Sequence, residues 1–379
     1  MQSSGVGDSF ERSPPQDYNV AVLLGKGVGM LSRAIGLLLL GMGCTSLGIC
    51  HRLALLSEPV KEQNEAVCPQ CRDATEPTAE ILASAPVAMS WTLQKQANEV
   101  TVFFSARDGK KFVQDLSLGD IHIADDGKPA LRITEFRHQQ DLPLRVGLLI
   151  DTSGSVNPRF RFEKDASIQF LRAIVRRGLD RAFVMGFSEE TTLWQDYTDD
   201  PGLLASSVAA LRNGGGTAFF NAVRIAACNK LADGEPRDQT TARVLVILSD
   251  GNNNVGHTTL KNALDTAQFR DVTIYTINTR IESLDPRLAV ATAEGDRALK
   301  NLAIQSGGRF FSRMTAQGVG HAFTDIEQEM RNRYVLFYQP EGLVPNGRFR
   351  SISIVARQSG KHLKVQARRG YYATRVANN

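Results

Sequence analysis

"LRVGLLIDTSGS", residues 144–155, begins as an apolar run and ends on alternating oxygens. A run that is apolar without alternation suits a strand covered on both faces, as in a parallel sheet. Asp151, Ser153 and Ser155 follow at every second position, where the run stops. Downstream the same grammar repeats. Apolar segments at 181–188, 191–198, 242–250, 272–279, 309–313 and 334–340 read as strands, with 191–198 at an edge. Between them, 161–177, 201–213, 218–232, 259–271, 296–308 and 321–333 read as helices. Pro201 marks a helix start, and Gly307 with Gly308 a helix stop. Strands alternating with helices predict an α/β fold: a doubly wound, mostly parallel sheet with helices on both faces.

On either side the pattern changes. Residues 90–137 change character: segments within them alternate, with turn signals "RDGKK" (107–111) and "DDGKP" (125–129), which predicts a small antiparallel β unit. After 340, "RFRSISIVA" (348–356), the turn "RQSGK" (357–361) and "HLKVQARRGYYA" (362–373) predict a hairpin. Ile352, Ile354 and Ala356 would face Leu363, Val365 and Ala367, packed near the first β unit. Residues 34–50, "AIGLLLLGMGCTSLGIC", carry no charge and follow Arg33. Seventeen residues is the short limit for a spanning helix, and a basic start before an apolar core fits an export signal or single anchor. The expected organisation is an untranslated or short leader (1–29), a signal peptide or membrane anchor (30–50) and a linker (51–88). A small β-rich domain (89–140), the α/β domain (141–338) and a C-terminal β-hairpin extension (339–379) follow.

The 379 residues suffice for two or more domains, and 42% apolar with 22% charged residues is ordinary for a globular chain. The net charge of +4 comes from the C-terminal segment. From Arg348 onward there are eight Lys or Arg and no acid, leaving 36 basic against 40 acidic residues elsewhere. On a hairpin such charges read as a solvated face. No aromatic-interleaved basic groove accompanies them, so no nucleic-acid partner is expected. Cys44, Cys50, Cys68, Cys71 and Cys228 are too few for a disulfide-built scaffold. A lone "CPQC" (68–71) is a weak zinc or redox signal and reads as a local disulfide or a free pair.

In an open α/β sheet, ligands bind beyond the carboxyl ends of the strands. Three loops fall there: "DTSGS" (151–155), "GGGTA" (214–218) and "SDGNNN" (249–254). They offer Asp151, Ser153, Ser155, Thr217 and Asp250. All are hard oxygen donors, without His or Cys, which suits Mg2+, Mn2+ or Ca2+ and disfavours zinc or copper. Each residue also has a plainer reading. Ser153, Ser155 and Thr217 suit helix caps, and Asp151 and Asp250 suit turn closers.

From about 143 to 338 these loops, in this order, resemble the von Willebrand factor A (VWA) domain family. "DTSGS" is similar to its Asp-x-Ser-x-Ser, Thr217 to its glycine-loop Thr, and Asp250 to its Asp-Gly position. With "DDGKP" before and "ARRGYY" after, the chain also resembles an exported bacterial, acidobacterial-type subgroup. The resemblance implies a metal-ion-dependent adhesion site (MIDAS). Ser153, Ser155 and Thr217 would ligate through hydroxyls, and Asp151 and Asp250 directly or through water. Neutral hydroxyls leave the cation electrophilic, with a position open for a partner's Asp or Glu carboxylate. Relatives often carry Asp four residues after the loop Thr, where this chain has Asn221. The resemblance further implies that the last helix, 321–333, shifts when the site is filled.

The expected function is a metal-dependent protein-binding module, exported to the cell envelope and either membrane-anchored or secreted. Its cofactor would be Mg2+ (or Mn2+ or Ca2+), and its partner an unidentified protein. The rivals are a metal-assisted hydrolase and a metal-free structural domain. A hydrolase needs a base near metal-bound water. The loops offer no spare His or Glu, and only His257 follows one of them. No "GxSxG" elbow surrounds Ser153 or Ser155, and "LGKGVGM" (24–30) lacks the strand and helix of a nucleotide loop. No enzymatic activity is expected.

Overall fold

The computed structural model describes residues 99–138, 142–156, 159–231, 241–280, 286–312 and 316–373. The apolar segment 34–50, the linker 51–88 and Cys44, Cys50, Cys68 and Cys71 lie outside the described residues. Among the described residues, no helix is long and apolar enough to cross a membrane.

The chain opens with β1 (Val100–Asp108), β2 (Lys111–Phe112), β3 (Ile121–Asp125), β4 (Lys128–Pro129) and β5 (Arg132–His138). Val100, Val102, Phe104 and Ala106, at alternate positions of β1, enter one core. "DDGKP" makes its tight turn with Asp126 and Gly127 at φ 49° and 78°, the left-handed pair a two-residue hairpin requires.

The α/β part follows as β6 (Leu144–Asp151), α1 (Phe160–Ile174), β7 (Arg181–Phe187), β8 (Thr191–Thr198), α2 (Pro201–Ala210) and α3 (Phe219–Ile225). Helix α3 runs on into a π-helical turn, Ala226–Lys230, where Cys228 is buried. Then come β9 (Ala242–Ser249), α4 (Leu260–Phe269), β10 (Val272–Asn278), α5 (Pro286–Ser306), β11 (Phe310–Phe311) and α6 (Ala316–Arg331). The six strands lie in the order β11-β10-β9-β6-β7-β8. Neighbours are parallel except for the edge strand β8, which is antiparallel to β7. Strand β6 is central and buried throughout. Leu144, Val146, Leu148 and Ile150 share a core with α1, α2 and α6. Leu149, with Phe183, Leu245 and Ile247 of its neighbours, shares another with α3, α4 and α5. This double cover is what the unalternating run encodes, and each fully buried Leu or Ile there contributes about 1.5–3 kcal/mol.

The structure departs from the sequence reading in several places, the smallest being helix α6, which starts at Ala316 and not at 321. Helix α5 starts at Pro286, well before the expected 296. Gly295, a breaker by propensity, lies inside it because a close contact needs it there, as described below. Residues 333–339 form β12 (Arg333–Gln339), which leaves the parallel sheet and pairs antiparallel with β1 and β5. Tyr334, Leu336 and Tyr338 thereby join the core of β1. The C-terminal hairpin closes only at its tip, where β13 (Phe349–Gln358) meets β14 (Lys361–His362). Strand β15 (Lys364–Ala367) then crosses to β1, and β16 (Gly370–Tyr372) returns to β13. Ile352, Ile354 and Ala356 lie opposite Asp125, Ile123 and Ile121 of β3 instead of Leu363, Val365 and Ala367. Alternation fixes which face points inward, not which strand lies alongside. The strands from both ends thus form two sheets, β15-β1-β12-β5 and β14-β13-β3-β4, around one core. The α/β part is inserted between β5 and β12.

Candidate metal centre

Asp151 ends β6, and Asp250 directly follows β9, its parallel neighbour, so their loops emerge side by side. Backbone bonds stitch the glycine loop to the first: Gly214 N donates to Thr152 O at 2.7 Å, and Gly154 N to Gly215 O at 3.1 Å. The asparagines stitch it to the third. Thr217 N donates to Asn254 Oδ1 at 2.7 Å, and Phe220 N to Asn253 Oδ1 at 3.0 Å. Asn254 N and Val255 N donate back to Thr217 O at 3.0 and 3.1 Å. All three loops therefore share one edge of the sheet.

Ser153 Oγ lies 3.0 Å from Ser155 Oγ, and Ser155 Oγ donates to Asp250 Oδ2 at 3.3 Å. Asp151 is fully buried; its Oδ1 accepts from Ser153 N at 2.9 Å and its Oδ2 from Ser249 Oγ at 2.8 Å. Burial pushes its carboxyl up to about 6, against these hydrogen bonds, and the nearby charge of Asp250 adds to the rise. Thr217 is buried, and its hydroxyl makes no hydrogen bond among the described residues. The cap positions fall elsewhere: α1 is preceded by Arg159 and α3 by Ala218, neither with a side-chain cap bond. The hydroxyls are therefore not committed to capping. The turn-closing roles hold in part. Oδ1 of Asp151 and of Asp250 each accept from the amide two residues on.

The backbone holds Asp250 in place. Gly251 has φ 77°, and a Cβ there would fall 2.5 Å from Gly295 O. A Cβ on Gly295 would fall 2.5 Å from Asp250 O. The two glycines let α5 touch the loop directly.

This donor set fits a hard divalent cation. Octahedral ligands at about 2.1 Å place adjacent oxygens about 3 Å apart, close to the 3.0 and 3.3 Å separations seen here. Among the described residues, no group of three or more His, Cys, Asp or Glu is placed to hold a metal. The set is thus rich in hydroxyls and offers no soft ligand.

Several neighbours were not legible in the sequence. Arg159 Nη2, buried and without a hydrogen-bond partner, lies 3.9 Å from Asp250 Oδ2, while its Nε donates to Glu163 Oε1 at 3.0 Å. Arg280 Nη2 lies 3.4 Å from the same Asp250 oxygen and donates to Asn252 Oδ1 at 2.7 Å. Two guanidiniums therefore temper the negative potential that the loops offer a cation. Burial pushes Glu163 up to about 7, opposed by Arg159. The only sequence signal for this group was the i, i+4 spacing of Arg159 and Glu163. Glu189, exposed at the rim, accepts from Gly216 N at 3.0 Å, a carboxylate beside the glycine loop that the reading of the loops lacked. His257 is exposed in the bend beyond the third loop. Asn221 accepts from Arg224 Nη2 at 3.1 Å and Thr258 Oγ1 at 3.4 Å, bridging α3 to the start of α4.

Residues 146–326 match the model of the von Willebrand factor type A domain. No curated protein matches the chain. Among solved structures it is similar to the vWF domain of the type V pili tip protein Mfa5 from Porphyromonas gingivalis. That match has 16% identity, 49% of this chain and 94% of that one covered, and a TM-score of 0.39. It is also similar to an aerotolerance-related membrane protein from Bacteroides fragilis, with 18% identity, 49% and 98% coverage, and a TM-score of 0.40. A third is proximal thread matrix protein 1 from the mussel byssus with a zinc-occupied MIDAS motif, with 15% identity, 53% and 48% coverage, and a TM-score of 0.42. The family match falls on the doubly wound sheet and its three converging loops: residues 146–326 are a von Willebrand factor type A domain.

Proposed function

We propose that this domain is a metal-dependent adhesion module that captures an Asp or Glu side chain of a protein partner. VWA domains commonly mediate protein–protein adhesion. The observation that carries the reading is the run of oxygens from Ser153 through Ser155 to Asp250, 3.0 and 3.3 Å apart, on the sheet edge that also holds Asp151 and Thr217. Ser153, Ser155 and Thr217 would hold Mg2+, Mn2+ or Ca2+ through hydroxyls, and Asp250 and Asp151 would supply charge directly or through water. When bound, the cation supplies an electrophilic position for the partner's carboxylate. Ser249 orients Asp151, which in turn fixes the Ser153 amide. Arg159 and Arg280 hold Asp250 and keep the site from being strongly anionic. Glu189 repels acidic groups arriving over the glycine loop, which restricts the approach of the partner. No residue here serves as a base or nucleophile in this role. The apolar segment 34–50 supports export to, or tethering at, the cell envelope.

The test is thermal melting and partner capture with the whole protein. Mg2+ at a hundred times its Kd stabilises the fold by about 2.7 kcal/mol. In Asp151→Asn that gain disappears. Partner retained from envelope extract in Mg2+ is released by a chelator. A melting temperature indifferent to all three cations, with capture indifferent to chelator, removes the reading.

A further inference from the structure

At the opposite end of the sheet, where β9 and β10 begin, a cavity of about 170 Å3 lies between the inserted domain and the sheet of β1 and β12. Arg243 of β9, Arg333 of β12 and Arg368, just after β15, all line it, with Asp271, Thr273 and Thr101. Arg333 is 2% exposed. Its Nη2 donates to Thr273 Oγ1 at 3.1 Å, but its Nη1 has no hydrogen-bond partner. Arg368 donates from Nη2 to Thr101 O at 2.6 Å and pairs through Nη1 with Asp271, while its buried Nε is also unpartnered. The side chain of Arg243, half-buried, makes no hydrogen bond or ion pair among the described residues.

Three guanidiniums thus share a partly open cavity with a single, half-exposed carboxylate. Such an excess of like charge is unfavourable unless an anion shares the space. The spare donors, Arg333 Nη1, Arg368 Nε and the whole fork of Arg243, are directional N–H groups of the kind that bind oxyanions. The volume equals roughly six waters at about 30 Å3 each, enough for one tetrahedral oxyanion with some hydration and too small for a large ligand. Asp271 cancels one of the three charges, so the unmet charge is two.

We propose that this cavity binds a small tetrahedral dianion, inorganic phosphate or sulfate. Its ligands come from the inserted domain and from the flanking sheet, so the bound anion fastens one to the other. The site is independent of the metal loops, which lie at the far end of the same strands.

The test is calorimetric titration of the full-length protein with inorganic phosphate, and separately with sulfate, against chloride at matched ionic strength. The expected result is saturable one-to-one binding of at least one anion, accompanied by a rise in melting temperature. Arg243→Ala weakens that binding about tenfold or more. In anion-free buffer the same change raises the melting temperature, because it relieves repulsion among the three guanidiniums. Arg243→Lys keeps the charge but loses the fork, and is intermediate. Asp151→Asn binds the anion as the natural protein does. No saturable binding of either anion at millimolar concentration overturns the proposal, and so does equal affinity in Arg243→Ala.

Discussion

Asp250 illustrates what sequence reveals about a single residue and what it does not. Its place on the same sheet edge as Asp151 was readable, because both residues end apolar runs of the kind that form neighbouring parallel strands. Arg280 was not: 30 residues separate it from Asp250, and only the path of the loop after β10 brings its guanidinium to 3.4 Å. That contact has a measurable effect. Removing the charge, as in Arg280→Gln, should tighten Mg2+ binding several-fold, since like charges about 5 Å apart oppose each other by about 1 kcal/mol or more. Calorimetric affinities decide it, and unchanged or weaker binding contradicts the claim. Glu163 makes a second prediction. Folding raises its carboxyl from an ordinary 4.5 to about 7, so the folded state favours the protonated form. The stabilisation is complete below 4.5 and is lost as pH rises towards 7. Asp151, raised to about 6, acts in the same direction. Urea melts of metal-free protein should show stability falling across this window, and Glu163→Gln should flatten the fall.

Among the elements, β6 was the most legible, because a short apolar run without alternation, ending in turn-forming residues, suits a strand covered on both faces. Strand β12 was the least. "YVLFYQ" is equally apolar whether it extends the parallel sheet or pairs with β1, and its true partners in β5 and β1 lie about 200 and about 230 residues upstream. Helix α6 just before it is tied to both sides of this boundary. Glu329, on its buried face, accepts from Arg107 of β1 at 2.7 Å, from the Tyr275 hydroxyl of β10 at 3.2 Å and from Arg309 at 3.4 Å. Any shift of α6 that accompanies metal binding has to strain these bonds. Glu329→Gln should cost roughly 3 kcal/mol, as broken buried ion pairs do. It should also speed hydrogen exchange over residues 321–331 and enlarge the exchange change on adding Mg2+. Exchange in α6 that ignores both the substitution and the metal rules out this coupling.

At the scale of the whole molecule, composition and periodicity disclosed an α/β unit flanked by β segments, but not that the segments interlock. That joining is made by pairs such as Ile354 with Ile123 and Phe104 with Ala367, which no local pattern announces. It also sets how the protein bears load. The inserted domain hangs from the end of β5 and the start of β12, while its metal loops lie beyond Asp151, about 23 Å further along β6. Tension between an anchor before β1 and a ligand gripped at those loops pulls β1 and β12 lengthwise past each other. Their rungs, from Val100 with Tyr338 to Ser105 with Arg333, are then stressed together. Tension between residue 99 and residue 340 instead opens the same ladder one rung at a time. In single-molecule pulling, the first geometry should unfold the sandwich at clearly higher force than the second. The joint is strong in the direction in which the proposed tethering and ligand capture would load it.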